Sequence, residues 1–310
     1  MNLPHRPLGG CVVNLSISEG DDSERLGFPL WQVNRLTLQL VAALFGQGAS
    51  VVFGHDWRED GVMEAVYDFA RQVQPPVPLS SAKTAEEGQP LLRNLLPWPD
   101  EPTLSERERE KLSSTLRVER AGLPKELQSV DGEARQAEPG NPLYRYVRAR
   151  GLTFLRHRLN DACDVRLCLG GRRSDSGGRY PGIIEEAFLA VAAKKPLYLA
   201  SFLGGATEQV VDAIEGKPMG DDFCRTTSLR DLYLTPPVKE SDPATLDDRI
   251  VDRAVIWKRF AETGSKKVAA TNGLTVEEND ELLHTPVIDR VIELVLTGLS
   301  RRWPDLARDR

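Results

Sequence analysis

Val165-Arg-Leu-Cys-Leu-Gly-Gly171, running on into Arg172-Arg-Ser-Asp-Ser-Gly-Gly-Arg-Tyr-Pro-Gly-Ile-Ile-Glu-Glu186, is the stretch that decides the fold. Val165, Leu167 and Leu169 alternate onto one face of a short strand. Pro181 then opens a helical pattern that runs to about Lys194, and Leu197 to Ser201 reads as the next strand. Strand, glycine-rich turn, helix and strand make one βαβ unit of a parallel sheet. Upstream, the helical pattern of Leu143 to Ala162 delivers the chain into this unit. Downstream, Leu203-Gly-Gly-Ala206 opens a further helix reaching about Glu215.

The N-terminal part repeats the pattern. Cys11 to Ile17 (CVVNLSI) is apolar and β-branched, as a buried parallel strand requires. Val33, Leu36, Leu40 and Leu44 recur at helical spacing, Gly46 and Gly48 stop that helix, and Ser50 to Gly54 forms the second strand. A helix from about Glu59 to Val73 is closed by Pro75, Pro76 and Pro78, and Leu91 to Trp98 reads as a third strand. Residues 101–118 are densely charged, with Ser105 and Glu108 spaced as a capping box, and predict a solvated surface helix. Residues 120–141, rich in Gly, Pro, Glu, Gln and Ala without periodicity, predict a mobile insertion. In the C-terminal third, Asp247 to Thr263 reads as helical, and Ile288, Val291, Ile292, Val295 and Leu299 form an amphipathic stripe. The expected fold is therefore α/β and Rossmann-like, a mostly parallel sheet flanked by helices. A core over 1–215 carries the insertion near 120–141, and a mainly helical C-terminal extension over 216–310 packs on that core.

Composition narrows the partners. With 40% hydrophobic and 28% charged residues, the 310-residue chain has a globular mix. A net charge of −6 gives no overall basic field, so no nucleic-acid partner is expected. No apolar run approaches the ~20 residues that span a bilayer, and MNLPHRPLGG lacks the layout of a signal peptide. A cytoplasmic protein without a membrane partner is the expectation. Cys11, Cys163, Cys168 and Cys224 form no CxxC pair and no metal-like grouping with His5, His55, His157 and His284, so reduced thiols and no metal are expected. No resident cofactor is called for.

In open α/β sheets, ligands lie beyond the carboxyl ends of the strands, where helix N-termini offer N–H groups to anions. Gly170, Gly171, Gly177, Gly178 and Gly182 let backbone approach a phosphate, and Pro181 suits the first helical position. Arg172, Arg173 and Arg179 are candidate phosphate partners. Arg179 in particular is read as a long, loosely packed cation whose loss leaves stability nearly unchanged. Glu185 and Glu186 fall near the helix start, and since neighbours lie about 100° apart only one can face the ligand. That carboxylate either binds ribose hydroxyls or stabilises an oxocarbenium-like sugar cation, as in glycoside hydrolysis, with Glu186 then catalytic. Ser16, Ser18 and Glu19 follow the first strand; Gly54, His55, Asp56 and Arg58 follow the second. His55 and Asp56 read equally as a surface histidine with a helix cap or as ligand contacts. Gly204 and Gly205 read as a second anion-facing turn or as a close helix–sheet contact. Neither GxGxxG at the first strand nor GxxxxGK[ST] occurs, which argues against a dehydrogenase of the usual kind and a P-loop NTPase.

Taken in order, these strand ends resemble the SLOG superfamily, the Rossmann-like group that includes cytokinin-activating phosphoribohydrolases and DNA-processing proteins. Phe53-Gly-His-Asp-Trp-Arg-Glu-Asp-Gly61, Gly178-Arg-Tyr-Pro-Gly-Ile-Ile-Glu-Glu186 and Tyr198-Leu-Ala-Ser-Phe-Leu-Gly-Gly-Ala206 are similar to the bacterial branch called SLOG cluster 2. The resemblance covers about residues 10–215 and, more loosely, the tail to 300. Related domains sense NAD-derived signals in anti-phage systems and occur in the ADP-ribose-binding region of some cation channels. The phosphoribohydrolases carry PGGxGTxxE; here Gly170-Gly171 and Gly182-Ile-Ile-Glu-Glu186 correspond to its two ends, with Ile183 in place of the threonine and a longer loop between. The resemblance thus implies a nucleotide-derived, phosphate-bearing ligand of ADP-ribose size, sensed rather than hydrolysed. Binding would act through a homo-oligomer or an effector partner. An N-glycosidic hydrolase and a scaffold without a ligand are the alternatives.

Overall fold

Six parallel strands in the order β4-β3-β2-β1-β5-β6 form the sheet of the computed structural model. The structure describes residues 6–54, 63–73, 90–99, 115–174, 177–220, 223, 229–238 and 252–308. The strands are β1 (Val12–Ser18), β2 (Ser50–Gly54), β3 (Leu92–Leu96), β4 (Leu116–Arg120), β5 (Val165–Gly170) and β6 (Leu197–Ala200). Where only a mostly parallel sheet was expected, every pairing is parallel. The order reverses at β1: the chain winds outward through β2, β3 and β4, then returns to lay β5 on the other side of β1. A ligand crevice is expected at that switch point.

Strand pleat explains the two faces. Val13, Leu15, Val51, Phe53, Val165, Leu167 and Leu169 point to one side and join one buried cluster. There they meet Val33, Leu36, Leu40 and Leu44 of α1 (Leu30–Gly46) and Val66 and Ala70 of α2 (Met63–Val73). The opposite face carries Val52 and Cys168, covered by three helices: α4 (Pro142–Ala162), α5 (Gly182–Ala192) and α6 (Gly205–Ile214). Pro142 opens α4 with Asn141 as its cap, the Asn141 side chain accepting from Leu143 N at 2.8 Å.

Two segments depart from the sequence reading. Leu116–Arg120, expected at the end of a charged helix, is the outer strand β4; the rest of that expected helix, including Ser105 and Glu108, lies outside the described residues. In LRVER only Leu116 is buried, and Glu119 pairs with Arg93 of β3 at 3.0 Å. A charged edge strand discourages pairing with another chain. Residues 120–141, expected to be a mobile insertion, instead form a 3₁₀ turn (Lys125–Val130) and α3 (Asp131–Gln136). Leu123, Leu127 and Ala134 are buried against Tyr146 and Val147 of α4 and Tyr233 of α7 (Arg230–Leu234). A few apolar anchors suffice to order a stretch whose average composition is polar.

The C-terminal helices are α8 (Arg253–Asn272), α9 (Val276–His284) and α10 (Ile288–Arg308). The stripe on α10 buries Val291, Val295 and Leu299, joined by Leu294 and Trp303, in the same cluster as the β1 and β5 face. The open edge of β6 is closed from this side, with Asn272 Nδ2 donating to Leu197 O at 3.0 Å and Ser201 N to Leu283 O at 3.0 Å. No described helix is long and apolar enough to cross a membrane.

Candidate functional site

At the switch point the pleat turns Asn14, Ser16 and Arg166 onto the face covered by α4 and α5, where polar groups replace the apolar contacts found elsewhere. Glu186 reaches them from α5. Its Oε2 accepts from Ser16 Oγ and from Arg166 Nη1, the latter at 2.9 Å. Arg166 Nη1 also donates to Ser16 Oγ at 3.1 Å. Asn14 fixes the far side, its Nδ2 donating to Val52 O at 3.0 Å while its Oδ1 lies 3.1 Å from Ser16 Oγ. Ser16 and Glu186, both read as site residues, are thus brought together by an arginine that periodicity passes over. Arg166 is wholly buried, and Glu186 keeps 16% of its side-chain surface.

Glu185 points the other way, as neighbours on a helix must. It is wholly buried and accepts from Thr153 Oγ1 at 2.8 Å, from Arg156 Nη1, and from Arg179 through Nη2 at 2.8 Å and Nε at 3.1 Å. Burial alone would push the Glu185 carboxyl up; the Arg179 and Arg156 guanidiniums and the Thr153 hydroxyl more than reverse this and hold it below the ordinary glutamate value. Arg179 is therefore not the loose cation expected: it is 1% exposed, committed to Glu185, and lies over the Tyr180 ring at 4.9 Å. Glu185, likewise, is wholly buried and committed to Thr153, Arg156 and Arg179.

The glycines divide by purpose. Gly178 and Gly182 lie against the Arg156 guanidinium, where a Cβ would sit 2.8 and 3.2 Å from its nitrogens. They make room for the arginine that serves Glu185 and stands 3.9 Å from Glu186 Oε1. Gly170, Gly171, Gly204 and Gly205 knit three loops together. Gly171 N donates to Ser18 O at 3.0 Å, and Ala206 N to Gly171 O at 2.8 Å. At Gly205, φ is +70° and a Cβ would lie 2.0 Å from Gly171 O; at Gly170, φ is +65° and a Cβ would lie 2.2 Å from Ser18 O. Of the two readings of Gly204-Gly205, the geometry is that of a close backbone contact. Gly177 lies beside Arg148, and Gly54 at the end of β2 rests on Leu155 and Leu159. Pro181 is the N-cap residue and Gly182 the first of the helix, one position later than expected. His55, Asp56 and Arg58 lie outside the described residues.

The remaining cations differ in availability. Arg173 bridges Asp22 and Glu208 at 2.7 and 2.6 Å, while its backbone N–H donates to Asp21 at 2.6 Å. This clasp ties the β1 and β5 loops to α6 through Asp21, Asp22 and Glu208. Arg172, one residue before it, is exposed and has no partner among the described residues. At the α5 N-terminus, Glu185 N reaches back to Pro181 O, and the N–H groups of Ile183 and Ile184 meet no acceptor among the described residues. Cys168, beneath the site, has its thiol pushed up to about 12 by burial, which keeps it protonated and unreactive.

A group able to hold a metal, Glu215, Asp280 and His284, lies exposed where α6 and α9 end, with His284 Nε2 2.9 Å from Glu215. Arg166, Arg156, Thr153 and Asn14 are the residues that the sequence reading does not single out. Comparison with curated proteins and with solved structures finds no match. A family model described as SLOG cluster 2 matches residues 7–282, which include every element of the crevice. The chain belongs to the SLOG cluster 2 family, which points to a nucleotide-related function.

Proposed function

We propose that the crevice between β1 and β5 binds a nucleotide-derived, phosphate-bearing small molecule of ADP-ribose or NAD-derived type and acts as a sensor. The observation that carries this reading is the Glu186 carboxylate, anchored through one oxygen by Ser16 and Arg166 and partly open to the crevice. In this reading the phosphates lie at the N-terminus of α5 with Arg172 as their cation, and Glu186 addresses a ribose hydroxyl. Ile183 stands where the related hydrolases have threonine, which favours retention of the ligand over its cleavage. Ligand binding is transmitted to a homo-oligomer or an effector in an anti-phage or stress response.

Calorimetric titration with ADP-ribose, AMP and NAD tests the binding. Arg172→Ala is expected to weaken the ligand by about ten- to a hundredfold, the loss of one charge-assisted hydrogen bond, with thermal stability unchanged because Arg172 is exposed. Unchanged affinity would remove Arg172 from the site. Release of free base from AMP or NAD by the wild type, abolished in Glu186→Gln, would replace the sensor by an N-glycosidic hydrolase.

A further inference from the structure

Both hydrogen bonds that Glu186 receives from β1 and β5 fall on Oε2. Its Oε1 has no hydrogen bond among the described residues, and Arg156 Nε stands 3.9 Å from it, beyond hydrogen-bond range. Ser16 has a single proton with Asn14 Oδ1 and the carboxylate both in reach, and the charged acceptor is the stronger of the two. Arg166 has Nη1 committed, while Nε and Nη2 are buried without a partner, so its charge is answered at this one carboxylate. A guanidinium cannot be deprotonated here. The pair is held together, and what reaches the crevice is an oxygen with lone pairs, negative charge and nothing to donate.

We infer that Arg166 and Ser16 are positioning residues that make Glu186 an acceptor-only reader, so that the site takes a ribose with a free hydroxyl and rejects one phosphorylated at that hydroxyl. The inference rests on the ribose reading of the crevice and narrows its ligand class. A hydroxyl donates to Oε1, whereas a phosphate there brings like charges together and has no proton to give. The polarity of the two ends is opposite: the α5 N-terminus with Arg172 requires an anion, and Glu186 excludes one.

The test is calorimetric titration of the wild type with AMP, 2′-deoxy-AMP, 3′-deoxy-AMP, 2′,5′-ADP and 3′,5′-ADP. One of the two deoxy compounds is expected to lose about tenfold or more, the worth of a hydrogen bond to a charged group. The bisphosphate carrying its extra phosphate at that same hydroxyl is expected to bind still more weakly. Glu186→Gln should narrow the preference for AMP over that bisphosphate by at least about tenfold, since the amide has an N–H to offer and no charge. Ser16→Ala, which removes one small buried hydroxyl and leaves the charge pair intact, should narrow it by a smaller factor. Arg166→Lys should retain more of the preference than Arg166→Met, and Arg166→Met/Glu186→Gln provides an uncharged pair should Arg166→Met alone fail to fold. Equal binding of AMP and both bisphosphates by the wild type overturns the inference while leaving the nucleotide site standing. Failure of AMP and ADP-ribose to bind at all removes both.

Discussion

Arg179→Ala is expected to cost about 3–5 kcal/mol of folding stability, the usual result of removing one member of a buried ion pair. Arg179 is buried and shares the Glu185 carboxylate with Arg156 and Thr153. Glu185→Gln should cost at least as much, because it deprives two buried guanidiniums of the carboxylate they share. Urea denaturation, with the slope m as a check on compactness, measures both. A loss below about 1 kcal/mol in either variant would mean that the pair is solvated in solution. The pH dependence has a definite sign. Glu185 titrates below its ordinary value of 4.5 when folded, so its contribution is complete above that value and is lost as the pH falls towards the depressed one. The acid limb of the stability curve should therefore be flatter in Glu185→Gln than in the wild type.

The second large effect concerns the loop junction. Gly205→Ala is expected to cost about 3 kcal/mol or more, combining a left-handed backbone with overpacking against Gly171 O. Gly216, also left-handed at φ +75° but with open space around its Cβ position, serves as the comparison, and Gly216→Ala should cost about 1 kcal/mol. Equal losses in the two variants, read from thermal melts, would show that the three loops do not approach as closely as the geometry requires.

The sheet was legible because buried parallel strands are written as short β-branched runs between turn residues: CVVNLSI, SVVFG and the Val165–Leu169 run need little context. β4 was not, since LRVER satisfies an edge strand by cross-strand charge pairing with β3, which linear periodicity does not register. The 120–141 segment misled for a related reason: Leu127 and Ala134 find their partners on α4 and α7, not in their own neighbourhood. At the site, Glu186 and Ser16 were legible from their places at a helix start and a strand end. Arg166 left a trace, a guanidinium in an otherwise apolar strand, but its partners lie 20 residues on and 150 residues back. Arg179 was misread because flanking glycines suggest an open loop. They open it inward, to admit Arg156.

The placement of β5 beside β1 has a consequence for the birth of the protein. Ser16 and Glu186 are 170 positions apart, so at ordinary translation rates on the order of ten to thirty seconds pass between the synthesis of one and of the other. Throughout that interval the N-terminal strands can assemble, but β1 offers an unpaired flank to whatever else carries an extended backbone. A nascent chain in this state lacks the Ser16, Arg166 and Glu186 cluster and is open to wrong partners at the same strand. The β1–β5 seam thus closes only after the β1–β4 half of the sheet has been made, with β6 alone still to add at the far side of β5.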